Sequence, residues 1–528
     1  MTENSHQPGI KKSFSPNTQR TFHVALRVIV GAVSLLLVGC GASSAPGDPV
    51  STVLKTQNPL VAQYNIAAGS PESAWVEFGT TTAYGRQTSV VEAANPYVPQ
   101  ISVLVAGMKP NTTYHMRAHA TYYGGHEWVD NDQTFTTGSL PPGNQLGLKV
   151  TRPNPNLNIA QDGVELLDIE APQTNNLEAA VTDLDGNVIW YYTFGPNNPA
   201  YPFPIRPLPD GNMLINAGYA TSDILEEIDL AGNVVKQIDI PGLNARLQAA
   251  RFPDNVININ HDVLPLSNGH WIVLTQTSKS FTNLPGYPGT TNVLGDYLID
   301  LDPNFNPVWV WSDFDHFDVN RHPYGLPDWT HGNAIVYSPN DGNLLFSMRD
   351  QNWVVKIDYE NGTGSGDVLW RLGDGGDFAL AGGDPSQWFY LQHFPYLINQ
   401  SATDLTLAIF DDGGLRPNSQ GEDPCYGFYP VCYTRGVIIH ADESTKVATV
   451  QWQYLPGLYT IWGGSIDTLD NGDVELDVTA PYYLNPVSLV YEVTHTDDPQ
   501  IVWQLQITGG FAYRAYRIPS LYPGVTWH

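Results

Sequence analysis

Positive charge is scarce in this chain. Its 528 residues carry 24 Lys+Arg against 53 Asp+Glu, a formal charge of −29. A nucleic-acid binder needs a basic face to neutralise phosphates, and this deficit excludes one. It also argues against an electrostatic grip on an anionic membrane. Long apolar runs are missing too: beyond the 11 residues 28–38, no segment is apolar enough to span a bilayer. No phosphate-cradling glycine loop ending in Lys-Ser or Lys-Thr occurs, so a nucleotide donor has no visible cradle. What the chain does have is 48 Gly, 41 Pro, 14 Trp and 28 Tyr, with hydrophobics at 42%. That content buries a large core and excludes global disorder. The length allows two to four domains, and the turn-rich composition predicts many short strands.

Residues 1–27 are polar and basic, and residues 28–38 have the length of a signal h-region. The run leads into Leu37-Val38-Gly39-Cys40, with small residues on both sides of Cys40. This resembles the lipobox of bacterial lipoproteins. It implies a signal peptide over 1–39, a lipidated Cys40, a tether over 40–50, and an exported protein anchored to a membrane on the periplasmic side or at the cell surface. Of the three cysteines, two then remain, Cys425 and Cys432. In an oxidising compartment a short-loop disulfide is the natural reading, with two free thiols as the alternative.

Residues 51–138 alternate in short runs such as Ala74-Trp75-Val76-Glu77-Phe78. The phrase Met108-Lys109-Pro110-Asn111-Thr112-Thr113-Tyr114 leads into a strand and resembles a fibronectin type III domain. The resemblance makes Tyr114 a corner residue whose hydroxyl bonds back to the backbone. Residues 139–144 read as a linker.

From 145 to 528 a phrase repeats. A turn built on Asn-Gly or Asp-Gly precedes an apolar strand at Asp210-Gly211, Asn268-Gly269, Asp341-Gly342 and Asn471-Gly472. A closing phrase, Asp185-Gly186-Asn187-Val188-Ile189-Trp190, echoes at Gly232-Asn233-Val234, Val308-Trp309, Leu369-Trp370, Gln451-Trp452 and Val502-Trp503. Asn-Gly and Asp-Gly supply the positive φ of tight hairpins. A four-stranded sheet cannot bury both its faces alone, whereas sheets ranged in a ring bury one another. The expectation is an all-β chain: a six-bladed β-propeller over 145–528, preceded by a small β-sandwich of fibronectin III or immunoglobulin type. The first closing phrase comes early, so the C-terminal strand is expected to complete the first blade. A tandem of β-sandwiches is the competing fold.

Four polar residues fall near the starts of successive repeats. His261 sits in Asn258-Ile259-Asn260-His261-Asp262, His331 in Asp328-Trp329-Thr330-His331-Gly332-Asn333, and His393 in Leu391-Gln392-His393-Phe394. Arg349 follows in the His331 repeat. Each alone is an ordinary structural histidine or an ion-paired arginine. Together they converge on one axis if the repeats are blades. Three histidines also suggest zinc, but an arginine among them favours an anion over a cation. Neutral imidazole is a nucleophile near neutral pH, and a neighbouring cation helps keep it neutral. That suits sulfuryl or phosphoryl transfer through a covalent histidine. His316 and His322 read as parts of a solvated loop. The runs Gly373–Asp377 and Asp411-Asp412-Gly413 read as turns, with Ca²⁺ binding as the alternative.

The ordered set Asp328-Trp329-x-His331-x-Asn333, Ser347-x-Arg349-x-Gln351, Trp370-x-Leu372-Gly373, Gln392-His393, Phe410-Asp411-x-Gly413 and Thr434-Arg435-x-Val437 is similar to that of the bacterial arylsulfate sulfotransferases. The similarity covers residues 145–528. It implies a nucleotide-independent enzyme without metal or other cofactor. Such an enzyme moves a sulfuryl group from an aryl sulfate donor to a phenolic acceptor by a ping-pong route through a sulfohistidine. By motif, His393 takes the nucleophile's place, while His261, His331 and Arg349 hold the sulfate; one of the other histidines, His331 first, is then placed to protonate the leaving oxygen. Asn333 is a further substrate-binding candidate. The family's short-loop disulfide falls on Cys425–Cys432, and its members can form homodimers. The lipobox and the Pro/Tyr-rich insert at 415–433 depart from the family's core pattern. Two rivals are a non-enzymatic surface propeller that binds glycans or proteins, and a sulfatase. The metal-dependent sulfatases need a Cys/Ser-x-Pro-x-Arg motif, which this chain lacks.

Overall fold

In a computed structural model the described residues are 50–528, apart from 68, 96–98, 123, 145, 155, 158–159, 171–176, 195–199, 220–222 and 482–486. The signal segment and Cys40 lie outside them. Among the described residues the fold is all-β and propeller-like, with a single α-helix, Ile240–Ala249. Asp239 caps that helix by accepting the Gly242 N–H at 2.8 Å.

The first part holds two packed sheets. Val50–Lys55, Ala62–Ala67 and Gln100–Val105 form one. Pro71–Gly79 and Thr113–Tyr122 lead the other, which Arg86–Gln87, Val91–Glu92, His126–Val129 and Gln133–Thr136 complete. Thr113–Tyr122 alternates buried positions with partly exposed ones along its length, as a strand with one face on a core must. Lys109 donates its N–H to the Tyr114 hydroxyl at 2.9 Å, the bond that the corner reading anticipates.

Six further sheets each contain a four-stranded antiparallel meander. In chain order their closing strands are Val188–Tyr192, Val234–Asp239, Pro307–Ser312, Val368–Gly373, Val447–Tyr454 and Ile501–Thr508. Every closing phrase of the sequence falls in one of them. Asp183 shows why such turns close. Its Oδ1 accepts the N–H groups of Asp185 and Asn187, and Gly186 takes φ +82°. Asp229 and Asp302 repeat the arrangement.

Tryptophans on five of the six closing strands, all but Val234–Asp239, tie their sheet to the next. Trp190 donates its indole N–H to the Leu230 carbonyl, Trp311 to Gly366, Trp370 to Glu443 Oε2 and Trp452 to Thr496. Trp503, in the last sheet, reaches back to Leu184 in the first at 2.9 Å. The first sheet is itself completed by the C-terminal strand Phe511–Ile518, which pairs with Val164–Glu170. The leading strands are Phe511–Ile518, Ala200–Pro207, Asn258–Pro265, Gly332–Ser338, His393–Gln400 and Ser465–Thr468. Each contacts the next, and the last contacts the first. Polar side chains carried on or just before these strands therefore meet.

The C-terminal tail docks on the N-terminal sheets. Tyr522 OH donates to the Leu104 carbonyl and accepts the Ala106 N–H, while Trp527 donates to the Gln87 carbonyl. One apolar core runs from Val76 and Phe78 through to Trp190 and Ile215.

Candidate active site

His393 opens its leading strand and is buried, with 1% of its surface exposed. His393 pairs with Phe410 across the hairpin, so residue 412 comes alongside it. Asp412 Oδ2 lies 2.6 Å from His393 Nδ1. On the other side of the ring, the Gly463 N–H donates to Nε2 at 3.2 Å. A nitrogen that accepts an N–H carries a lone pair, so the hydrogen sits on Nδ1 and is donated to Asp412. Burial pushes the His393 pKa well below its ordinary value, helped by the nearby Arg349, His331, His261 and Arg514. Burial pushes Asp412 well up; Arg349 opposes this and Asp411 adds to it. The site therefore holds a neutral imidazole whose lone pair is on Nε2, where it accepts the Gly463 N–H.

His331 immediately precedes its leading strand, at φ +48°. Its Nδ1 lies 2.6 Å from Asp328 Oδ2. His261 lies within its strand, where the pairing shifts register between Ile259 and Val263. The spacing had suggested a position just before that strand. The bulge explains the difference: an extra residue re-aims a side chain at a sheet edge. The His261 and His331 rings are 4.7 Å apart between centroids. Burial lowers the His261 pKa well below its usual value, with His331, Arg514 and Arg349 adding to it. Its Nδ1 is buried and unpartnered.

Arg349 begins a single 3₁₀ turn after Met348. One guanidinium nitrogen holds Asp350 Oδ1 at 2.6 Å, and the other donates to the Ile461 carbonyl at 2.9 Å. Its Nε is buried with no partner. The ion-pair reading and the anion-holding reading of this arginine are thus compatible, because one edge is paired and one nitrogen is spare. Asn333 is fully buried, donates to the Gln392 carbonyl and leaves Oδ1 unpartnered.

Several members of the site carry no signal in the sequence. Arg514, fully buried, donates to the backbone carbonyls of His261 and Asn333 and to Asp262. Burial alone would raise the Asp262 pKa, but Arg206 and Arg514 hold it below its ordinary value. Tyr513 places its ring 5.9 Å from His261 and 6.2 Å from His393. Asp412 belonged to a run that read as a turn or a calcium ligand. Instead Asp411 pairs with Arg416 and Arg435, and Asp412 holds His393. Gly373–Asp377 is a turn in which Asp377 pairs with Arg371. His316 and His322 lie in the loop that follows Pro307–Ser312 and are partly exposed. His316 stacks on Trp311, and His322 contacts the Val319 and Pro285 carbonyls. Cys425 and Cys432 form a disulfide. Among the described residues, no group of three or more His, Cys, Asp or Glu side chains is placed to hold a metal ion.

The arylsulfotransferase (ASST) family model matches residues 149–517. The chain belongs to the arylsulfotransferase family. The enzyme is accordingly an aryl sulfotransferase acting on small molecules, and all five motif residues (His261, His331, Asn333, Arg349 and His393) fall inside the match. No curated protein matches the chain. Among the described residues, no helix is long and apolar enough to cross a membrane.

Proposed function

We propose that the enzyme transfers a sulfuryl group from an aryl sulfate to a phenol, without a nucleotide, by a ping-pong route through a sulfohistidine on His393. The observation that carries this reading is the buried neutral imidazole, bonded to Asp412 through Nδ1–H and presenting the Nε2 lone pair among Arg349, His261 and His331.

The donor's sulfate oxygens lie against Arg349 Nε, His261 and His331, with Asn333 behind them. Nε2 attacks sulfur in line, the N–S bond forms, and the S–O(aryl) bond breaks with its electron pair on the leaving oxygen. Protonated His331 gives that oxygen its proton, and Asp328 steadies the imidazole. As Nε2 turns to sulfur, the Gly463 N–H is freed for a sulfuryl oxygen. In the second half, neutral His331 takes the acceptor's phenolic proton. The phenolate attacks sulfur, the N–S bond breaks, and the starting proton inventory is restored.

The six meanders are the blades of a six-bladed propeller over 145–528, and 51–138 is a fibronectin III-like sandwich. The tryptophan links between sheets and the Tyr114 bond support these assignments. Residues 1–39 act as an export signal, Cys40 carries lipid, and residues 139–144 link the domains. The family resemblance adds homodimer formation.

The test uses protein starting after Cys40. With p-nitrophenyl sulfate and no acceptor, one equivalent of nitrophenol is released and the intact mass gains one SO₃. Adding phenol discharges the protein to phenyl sulfate, and His393→Ala abolishes both events. Steady release without acceptor identifies a hydrolase instead. No release from folded protein with a panel of aryl sulfates identifies a binding propeller.

A further inference from the structure

A cavity of about 410 Å³ opens beside the reaction centre, and the mechanism above does not use it. One wall is Tyr459, Thr460 and Ile461; the other is the disulfide loop, with Cys425, Tyr426 and Phe428. The first wall is continuous with the site. The Ile461 carbonyl holds Arg349, and two residues on, the Gly463 N–H touches His393. Tyr459 is close enough to Asp412 and Arg349 for both to act on its hydroxyl. The second wall is anchored near the same place: Cys425 donates its N–H to the Arg416 carbonyl, and the Gly413 carbonyl lies 3.5 Å from Cys425 Sγ.

The lining is aromatic and aliphatic, with no lysine, arginine or histidine, so it offers nothing to a sulfate. Tyr426 and Phe428 are 73% and 72% exposed. Large apolar side chains held open to solvent beside a reaction centre mark a surface that a ligand covers. The volume lies within the range of small-molecule sites and exceeds what a single benzene ring fills.

We infer that this cavity is the aryl subsite: it takes the ring system of the phenolic substrate, favours fused-ring phenols over phenol itself, and depends on the Cys425–Cys432 bridge for its outer wall. The inference rests on the sulfuryl-transfer reading for the position of the anionic end. Leaving and attacking phenols occupy the same place in a ping-pong cycle, so one pocket serves both half-reactions.

The probes are 2-naphthol and phenol as acceptors, with p-nitrophenyl sulfate as donor. In the wild type, kcat/KM for 2-naphthol exceeds that for phenol. Phe428→Ala, and separately the paired change Cys425→Ser with Cys432→Ser, lower that ratio by at least about fivefold. In parallel, 2-naphthol binding is titrated by tryptophan fluorescence on His393→Ala protein, with and without Phe428→Ala, and weakens by a similar factor. Phe428 is mostly exposed, so its removal leaves the fold intact, and a melting curve checks this. A ratio and an affinity both unchanged within about twofold overturn the inference. If wild-type protein transfers nothing, the transferase reading fails, and the binding titration still decides the subsite.

Discussion

Replacing Asp412 with asparagine is expected to slow the first half-reaction by about 10- to 150-fold. The carboxylate is fully buried, and its Oδ2 lies 2.6 Å from His393 Nδ1. A hydrogen bond to a charged group contributes about 1.5–3 kcal/mol. At roughly 1.4 kcal/mol per decade of rate, that gives the quoted range. The loss has a second source. An amide that turns its NH₂ toward Nδ1 favours the other tautomer and places the hydrogen on Nε2, where the lone pair is needed. The assay is single-turnover nitrophenol release from p-nitrophenyl sulfate without acceptor. Asp412 acts through His393 and reaches no substrate, so KM for the donor stays within about twofold while the burst rate falls. A purely structural role would not move the imidazole signature: ¹⁵N spectra are expected to show a lone-pair Nε2 in the wild type and a protonated Nε2 fraction in Asp412→Asn. A burst rate within about threefold of the wild type, from protein of unchanged melting temperature, would refute the reasoning.

Other outcomes follow from the same geometry. Nucleophilic His393 must be neutral, and its pKa lies well below the ordinary 6.5, so kcat/KM shows no acid-side decline as pH falls through that value and drops only well below it. Arg349→Ala removes a cation that holds this pKa down, so the acid limb moves toward higher pH and KM for the donor rises; an acid limb that stays in place contradicts the coupling. In Gly463→Ala, the new Cβ meets the Thr479 side chain at 2.9 Å, and a residue at φ +71° costs about 1–2 kcal/mol. That variant should melt earlier and lose at least about tenfold in burst rate, because the amide at Nε2 shifts. Trp503→Phe removes the link from the last sheet to the Leu184 carbonyl of the first, at a cost of about 1–3 kcal/mol, which calorimetry reads as a melting temperature lower by a few degrees.

Local chemistry made much of this molecule legible in one dimension. Asp-Gly and Asn-Gly turns impose hairpins wherever they stand, and Trp190, Trp309, Trp370, Trp452 and Trp503 each lie in the strand after such a turn or its acidic equivalent. The periodicity therefore announced an all-β array of similar sheets. His261, His331, Arg349 and His393 were visible because each is a polar residue near the start or end of a leading repeat. Their ordered motifs matched the family that the chain proves to join.

The partners of those residues were not visible. Asp412 follows His393 by 19 residues in an acidic run that looks like any turn, and only the antiparallel pairing of His393 with Phe410 brings it to Nδ1. Gly463 lies 70 residues away from His393, in the loop just before the leading strand of the next sheet. Arg514 is separated from Asp262 by 252 residues and reaches it because the C-terminal strand closes the first sheet. Hairpins and repeats are written in neighbouring residues. The tautomer of His393, the spare nitrogen of Arg349 and the aromatic cavity behind Ile461 depend on contacts between sheets, and those exist only once the leading strands meet.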